Sequence, residues 1–288
     1  MKAHLLPVWS RVLCLLFCAT AAGCAPSPAA VNHDIILLST TTTRDTGLLD
    51  VLVPDFQKRS GYNVKTIIAG SGEILTLGER GEGDVVLAHS PAAEDAWIAA
   101  GHGTGRTLVM HNDFVVVGPP TDPAAVKGLH VAEALRRVAD RKALFISRGD
   151  QSGTNVKELS LWNLIGAAPK GQAWYLETGA GQGQTLNVAS EKQAYALTDR
   201  GTYLALRKNL ALDILVEREA DLLNIYHVML VNPAKSPKIN AVGAKAFADY
   251  LVSPDAQLLI RTYGVAQYGQ ALFAPDAGKT DEQVLAGH

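Results

Sequence analysis

Residues 35–50 read IILLSTTTTRDTGLLD, and this stretch decides the fold. It begins with a run of apolar residues, which predicts a buried β-strand. One serine and four threonines follow, and a second apolar run with helical spacing comes after them. A strand that passes through a short polar turn into a helix is a βα unit. A helix N-cap needs only one hydroxyl, so the five in a row require another explanation.

The βα pattern continues beyond this stretch. Leu49, Leu52 and Phe56 lie at helical spacing, Gly61 predicts the end of that helix, and Pro54 predicts a kink or a split within it. The segments YNVKTIIAG, EILTLGERG and DVVLAHS then repeat strand, helix and strand. Strands that alternate with helices predict a mostly parallel sheet.

Two longer strand-like runs interrupt this alternation, DFVVVGPP at 113–120 and NIYHVMLVNP at 224–233. Between them lies a second α/β set: ALFIS, a helix over 156–165, AWYLE, a helix through LNVASEKQAY, and ALTDRGTYLAL. Two further helices are predicted in AVGAKAFADYLVSPDAQLLIRTYG. We therefore predict two α/β lobes joined by two crossover strands, with a ligand cleft between them.

The predicted division of the chain has five segments. Lobe 1 comprises residues 35–115 and 227–288, and lobe 2 comprises residues 116–226. Residues 1–23 are predicted to be an export signal, and residues 24–34 a Pro/Ala-rich linker.

The signal ends in AAGC, which resembles the bacterial lipobox with Ala21 in place of the usual leucine. This match predicts lipidation of Cys24 and cleavage before it, and ordinary secretory cleavage is the alternative. Cys14 and Cys18 lie inside the signal, so the mature chain has no pair of cysteines for a disulfide or a metal site.

Composition excludes several classes of function. The formal net charge is −2 and no basic run is present, which argues against nucleic acid as a partner. The eight histidines are scattered without metal-ligand spacing, so we expect no metal site. GAGQG fits neither phosphate-binding glycine motif, and no serine or cysteine nucleophile motif is present, so we predict neither a cofactor nor an enzyme.

Four loops share one chemistry. Each lies between a strand and a helix and offers hydroxyls or glycines: residues 39–43, 70–72, 147–155 and 179–185. Such loops attract anions through unpaired backbone N–H groups at helix N-termini. Arg148 adds a cation whose donors match an oxyanion. The four loops together predict a small dianion as the ligand.

Other polar and aromatic residues in these regions are assigned structural roles. Thr185 and Asp45 are predicted to be helix caps. Trp174 and Tyr175 are predicted to pack lobe 2.

Asp150 and Asp199 are candidates for a catalytic base. A carboxylate repels a bound anion, so we expect both to cap helices or to pair with Arg148 or Arg200.

Four longer segments resemble one known family: TTTTRDTGLLD, FISRGDQSGTNVKELSLW, AWYLETGAGQGQTL and AYALTDRGTYLAL. They are similar to the TupA-like substrate-binding proteins of tungstate ABC transporters, and the similarity runs over residues 35–275. The resemblance implies a type II periplasmic-binding-protein-like fold. It also implies that tungstate or molybdate binds in the cleft to neutral donors and an arginine, for transfer to a permease and its ATPase.

The resemblance assigns the anion ligands by position: Thr40, Thr41, Ser71, Arg148, Ser152, Gly153 and Thr154. Ser39 and Thr42 are further contacts, and they exchange serine and threonine relative to the family pattern. Asn155 stands where the family pattern has histidine. Thr43 is left to the start of the helix.

We therefore expect a monomeric, lipid-anchored, extracytoplasmic receptor that captures tungstate for an ABC importer. A receptor for molybdate, sulfate or phosphate is the first alternative. An exported hydrolase or transferase with Asp150 or Asp199 as its base is the second, and a binding module that signals without transport is the third.

Overall fold

The computed structural model describes Met1 and residues 32–287. Most of the predicted export signal, Cys24 with its predicted lipidation, and most of the predicted linker lie outside the described residues. From Asn32 onward the chain forms one compact unit, so the lobe boundaries at 115 and 227 stay a prediction.

The first strand is the centre of a parallel arrangement. β1 (Asp34–Thr40) pairs in parallel with β2 (Asn63–Ala69) on one side and with β3 (Val85–Ala88) on the other. Leu37 and Leu38 of β1 have no exposed surface, which is expected of a strand covered on both faces. The predicted parallel βα units are confirmed.

Four helices accompany these strands: α1 (Thr41–Asp45), α2 (Leu49–Ser60), α3 (Ser71–Glu79) and α4 (Pro91–Ala99). Leu52 and Phe56 of α2 face the core, and the helix ends at Gly61 with a φ of 75°. The predicted split at Pro54 is wrong, because α2 continues through it. Asp50 and Pro54 are both exposed, so water can replace the hydrogen bond that the proline denies to the Asp50 carbonyl.

Two long antiparallel strands cross between the strand sets. β4 (Gly103–Gly118) pairs with β9 (Leu223–Val231), and β9 pairs in turn with β3. The far end of β4 pairs with β7 (Ala196–Asp199) and β8 (Asp213–Val216). The two predicted crossover strands and the α/β class are confirmed.

The predicted start of β4 at 113 is wrong by ten residues. Its first part, GTGRTLVMHN, contains two register shifts against β9, between Thr104 and Arg106 and between Leu108 and Met110. These irregularities and the two glycines break the alternation of polar and apolar residues by which a strand is recognised.

The second strand set contains a two-stranded parallel sheet, β5 (Phe145–Ser147) with β6 (Tyr175–Glu177). Its helices are α5 (Val131–Asp140), α6 (Gly153–Leu164), α7 (Gln182–Glu191) and α8 (Arg200–Leu206). The helix predicted over 156–165 begins three residues earlier, at Gly153.

The helix predicted through Tyr195 ends at Glu191. Gln193 has a φ of 52°, which no helix accepts, and Tyr195 is already in extended chain next to Phe145. The predicted packing role of Trp174 and Tyr175 is confirmed, because both rings pack against each other and against Trp162.

The last part of the chain returns to the first strand set. The two predicted helices are α9 (Ala241–Leu251) and α10 (Pro254–Thr262). A short α11 (Val265–Tyr268), β10 (Ala274–Pro275) beside β4, and α12 (Asp281–Leu285) follow them. Within the part of the chain that the structure describes, no helix has both the length and the apolar character of a membrane span.

Candidate anion-binding site

Parallel pairing brings the first two loops together. Thr40, the last residue of β1, lies beside Ala69, the last residue of β2. The loops that leave these strands begin at Thr41 and Gly70, so they start side by side at the same edge of the sheet. This edge, at the carboxyl ends of parallel strands, is where α/β proteins bind ligands.

A cleft of about 290 Å³ opens at this edge. One wall is formed by Thr41, Gly70, Gly72 and Glu73, and the other by Arg148, Asp150, Gln151 and Ser152. The walls approach closely, because a Cβ at Gly70 would lie 3.9 Å from the Gln151 carbonyl oxygen. The structure therefore brings three of the predicted loops together.

The hydroxyl run divides into two groups. Ser39 Oγ donates to the Leu87 carbonyl at 3.1 Å and lies 2.8 Å from Thr43 Oγ1. Thr43 Oγ1 donates to the Thr40 carbonyl at 2.7 Å, which fits its predicted place at the helix start. The fold therefore uses the hydroxyls of Ser39 and Thr43, and it does not bring Ser39 to the cleft.

The other three threonines differ in exposure. Thr41 is half-buried and lines the cleft, whereas Thr42 is buried within α1. Thr40 is the N-cap of α1, but its hydroxyl makes no capping bond and lies 3.0 Å from His89 Nε2. Thr40 and Thr42 are thus beneath the cleft wall rather than on it.

Ser71 has a buried hydroxyl without a hydrogen-bond partner in the described part of the chain. It is the first residue of α3, between two glycines that line the cleft. A buried hydroxyl left unpaired costs about 1–3 kcal/mol, so such groups are normally satisfied. Its place at the N-terminus of a nine-residue helix makes an anion a suitable partner.

Arg148 supplies the cation of the cleft. Its side chain is only 8% exposed, and it pairs with Asp150, with Nε 3.1 Å and Nη2 2.5 Å from Oδ2. Burial alone would raise the pKa of Asp150, but hydrogen bonds from Ser152 and Arg148 outweigh it and hold that pKa below its ordinary value. The expected pairing of Asp150 with Arg148 is confirmed.

Asn155 braces the third loop. Its Nδ2 donates to Ser147 Oγ at 3.1 Å, and its Oδ1 accepts from the Gln151 N–H at 3.1 Å. Its own N–H donates to Ser152 Oγ at 3.4 Å, so Ser152 caps α6. Thr154, in the first turn of α6, is buried.

His89 is a site residue that the sequence analysis missed. Besides contacting Thr40, it packs on Gly153, where a Cβ would lie 2.5 Å from His89 Cε1. Burial lowers the pKa of His89 to about 4, so the ring is neutral near pH 7. One feature of the sequence points to His89 as a site residue. It directly follows a buried strand, at the edge of the sheet where the other loops meet.

The fourth loop supports the site without lining it. Gly179 N–H donates to the Arg148 carbonyl at 2.8 Å, which fixes the backbone behind the arginine. The predicted cap at Thr185 is wrong, because Gly181 holds the N-cap position of α7. Thr185 Oγ1 instead lies 2.9 Å from Thr178 Oγ1 and donates to the Gly181 carbonyl at 3.1 Å.

The remaining carboxylates have structural partners. Asp199 caps α8 by accepting from both the N–H and the hydroxyl of Thr202, which confirms the expected capping role. Asp45 does not cap a helix as predicted, since it ends α1 and pairs with the adjacent Arg44. Among the described residues no group of His, Cys, Asp and Glu is arranged to hold a metal ion.

Comparison with known proteins places the chain in a family. The PBP superfamily domain matches residues 25–255. The tungstate-binding protein TupA of Peptoclostridium acidaminophilum is 44% identical, with 96% of this chain and 99% of that protein covered.

Two solved structures agree with this assignment. The tungstate-binding protein TupA of Desulfovibrio alaskensis G20 has a TM-score of 0.77 at 44% identity, with 85% of this chain and 99% of that one covered. The tungstate ABC transporter structure from Geobacter sulfurreducens has a TM-score of 0.71 at 45% identity and covers 80% and 98%. The chain therefore belongs to the PBP superfamily and, within it, to the TupA family.

Proposed function

We propose that this chain is the extracytoplasmic receptor that captures tungstate for an ABC importer. The observation that carries the proposal is the buried Ser71 hydroxyl, which has no partner in the described chain. Ser71 lies between two glycines that line a cleft with Arg148 on its other wall. Relatives at 44% identity that are named for tungstate binding support tungstate as the anion.

The cleft suits a tetrahedral dianion. Thr41 lies on one wall, where Ser71 stands between the lining residues Gly70 and Gly72, and Ser152 and Arg148 lie on the other wall. An anion between the walls receives hydrogen bonds from both sides. Only the closed arrangement makes both sets of contacts, and the ligand therefore stabilises closure. Thr40, Gly153 and Thr154 complete the proposed binding set from beneath.

Tungstate in this scheme is cargo rather than a cofactor. A permease and an ATPase receive it. The receptor acts as a monomer in the periplasm or at the cell surface, anchored to the membrane by a lipid on Cys24. Mass spectrometry of the membrane fraction tests the anchor: an intact Cys24 thiol, or cleavage elsewhere, would contradict it.

Both carboxylates named as the base of the alternative enzyme are engaged in the structure. Asp150 is paired with Arg148, and Asp199 caps α8, so neither carboxylate is available to take a proton from a substrate. The relatives named above are binding proteins as well. We therefore favour a binding protein over a hydrolase or transferase.

Calorimetry with tungstate, molybdate and sulfate tests the proposal. We expect saturable binding of one tungstate per chain, and sulfate about 100-fold weaker, because a smaller oxyanion leaves buried donors unpaired. Arg148→Ala is expected to weaken tungstate binding by about 100-fold or more, since it removes the cation among the described residues that line the cleft.

The exposed Arg261 on α10 provides a matched control, and Arg261→Ala is expected to bind tungstate like the parent. Tungstate that produces no heat while another oxyanion saturates would contradict the choice of ligand. An Arg148 variant with the parent's affinity would contradict the site.

A further inference from the structure

The walls of the cleft carry more negative than positive side chains. Arg148 is the cation among the lining residues, whereas Asp150 and Glu73 are both carboxylates. A site for a dianion with an excess of acidic groups needs an explanation, because like charges at short range repel.

Asp150 is fixed directly on the arginine. Nε and Nη2 of Arg148 both donate to its Oδ2, and its Oδ1 accepts from the Ser152 N–H at 3.2 Å. The carboxylate thus occupies one edge of the guanidinium group and leaves Nη1 for another acceptor. Glu73 differs, since it is exposed and makes no ion pair with Arg148 in the described chain.

We propose that Asp150 determines the charge selectivity of the cleft. It orients Arg148 and neutralises its charge, so an entering anion meets a wall rich in hydrogen-bond donors but nearly without net charge. Affinity then depends on how many donors the anion satisfies, rather than on its charge. This inference rests on the proposed function, because it requires an oxyanion in this cleft.

The consequence is quantitative. Coulomb energy scales with the product of the charges, so Asp150 costs a dianion twice the free energy that it costs a monoanion in the same position. Tungstate and perrhenate are both tetrahedral oxyanions of similar size, and they carry two charges and one. Removal of the carboxylate charge must therefore help tungstate more than perrhenate.

The test is Asp150→Asn, which keeps the size and leaves an amide oxygen for the N–H groups of Arg148. Titration calorimetry at pH 8 and constant ionic strength gives the dissociation constants for tungstate, and displacement gives those for perrhenate. We expect tighter binding of both anions, with the tungstate factor near the square of the perrhenate factor. A gain of about threefold for perrhenate corresponds to about ninefold for tungstate.

Glu73→Gln is the matched control. It removes the same charge from the same cleft without changing a contact to Arg148, and solvent screens the exposed Glu73. We expect it to raise tungstate affinity by a smaller factor than Asp150→Asn does, because Glu73 is exposed and makes no ion pair with Arg148 in the described chain. Equal gains in tungstate affinity for the two variants would overturn the proposal. They would indicate that the total charge of the cleft sets the affinity, and not the contact between Asp150 and Arg148.

Two further results separate this inference from the proposed function. If the parent binds tungstate but Asp150→Asn binds it no more tightly, or gains equally for both anions, the role of Asp150 is overturned and the receptor function stands. If neither protein binds perrhenate, an uncharged donor wall is also refuted. If the parent does not bind tungstate, both proposals fail.

Discussion

Two buried serines, Ser39 and Ser71, differ in whether the fold satisfies their hydroxyl groups. Ser39 Oγ has the Leu87 carbonyl and Thr43 Oγ1 as partners, whereas Ser71 Oγ has none in the described chain. A hydroxyl that the fold satisfies contributes to stability, and one that it leaves unsatisfied costs stability until a ligand arrives. The two alanine variants should therefore have opposite effects.

For Ser71→Ala we expect an unchanged or slightly raised free energy of unfolding and a tungstate affinity lowered by about tenfold. For Ser39→Ala we expect the free energy of unfolding to fall by about 1–2 kcal/mol with little change in affinity. Urea unfolding without anion and calorimetry with tungstate measure the two quantities. The reverse pattern would show that Ser39, and not Ser71, faces the ligand.

Gly153 is required by its neighbour rather than by its backbone conformation. A Cβ there would lie 2.5 Å from His89 Cε1, in a position where the imidazole is buried. Gly153→Ala should therefore displace His89 or the start of α6, lowering the free energy of unfolding by about 1–3 kcal/mol and weakening tungstate binding.

Gly181 offers a control, because it is also an N-cap-region glycine with a φ of −63° but has nothing within 4 Å of an added Cβ. Gly181→Ala should leave tungstate affinity unchanged. Equal affinities of the Gly153 and Gly181 variants would refute the steric argument.

At the scale of single elements, a strand or helix is predicted best where its apolar residues form a clear pattern. The run of four apolar residues at 35–38 predicts β1, and the helical spacing of Leu49, Leu52 and Phe56 predicts α2. The first half of β4 was missed because bulges and glycines disturb its periodicity. The split predicted at Pro54 does not occur. The free-energy cost of a proline within a helix depends on whether water reaches the carbonyl that loses its partner, and tertiary packing sets that exposure.

The site was predictable only in part. Arg148, Ser152 and Thr41 were expected from local motifs, and the structure brings them to one cleft. His89 and Asn155 act through contacts to residues whose spatial positions no local motif reveals. The caps assigned to Thr185 and Asp45 failed because serine, threonine and aspartate have several backbone and side-chain partners to choose from in a turn.

Helix α6 contains a buried carboxylate whose titration affects stability. Glu158 accepts from Ser147 Oγ, Tyr175 Oη and Trp162 Nε1, yet burial outweighs these bonds and raises its pKa above the ordinary value of 4.5. The folded chain then keeps a proton that the unfolded chain loses. The proton on Glu158 therefore contributes to the free energy of unfolding. This contribution is complete below the ordinary pKa and is lost as pH rises through the raised pKa of Glu158 in the folded chain.

We therefore expect the free energy of unfolding of the parent, relative to that of Glu158→Gln, to fall as pH rises above the ordinary glutamate pKa of 4.5. Urea titrations of both proteins across this range measure the difference. A difference that stays constant, or that grows with pH, would show that Glu158 is not held above its ordinary pKa.

At the scale of the whole molecule, the cleft joins parts of the chain that are far apart in sequence. A ligand held by both walls links their stabilities, so tungstate should raise the midpoint of thermal unfolding. At 100 times the dissociation constant, binding to the folded state alone stabilises by about 2.7 kcal/mol. Arg148→Ala should reduce this stabilisation to about 0.4 kcal/mol or less at the same tungstate concentration, and a shift of equal size in the variant would place the ligand elsewhere.

In the proposed site one anion lies between the two walls, and the tungsten atom itself allows the most direct measurement of its position. Crystals grown with tungstate and measured at the tungsten absorption edge locate the metal from its anomalous scattering. We expect one strong peak in the cleft, at a position from which the oxygens of tungstate reach Ser71 Oγ and the Arg148 guanidinium by hydrogen bonds. A peak away from these two groups, or no peak in crystals of a protein that binds tungstate in solution, would contradict it.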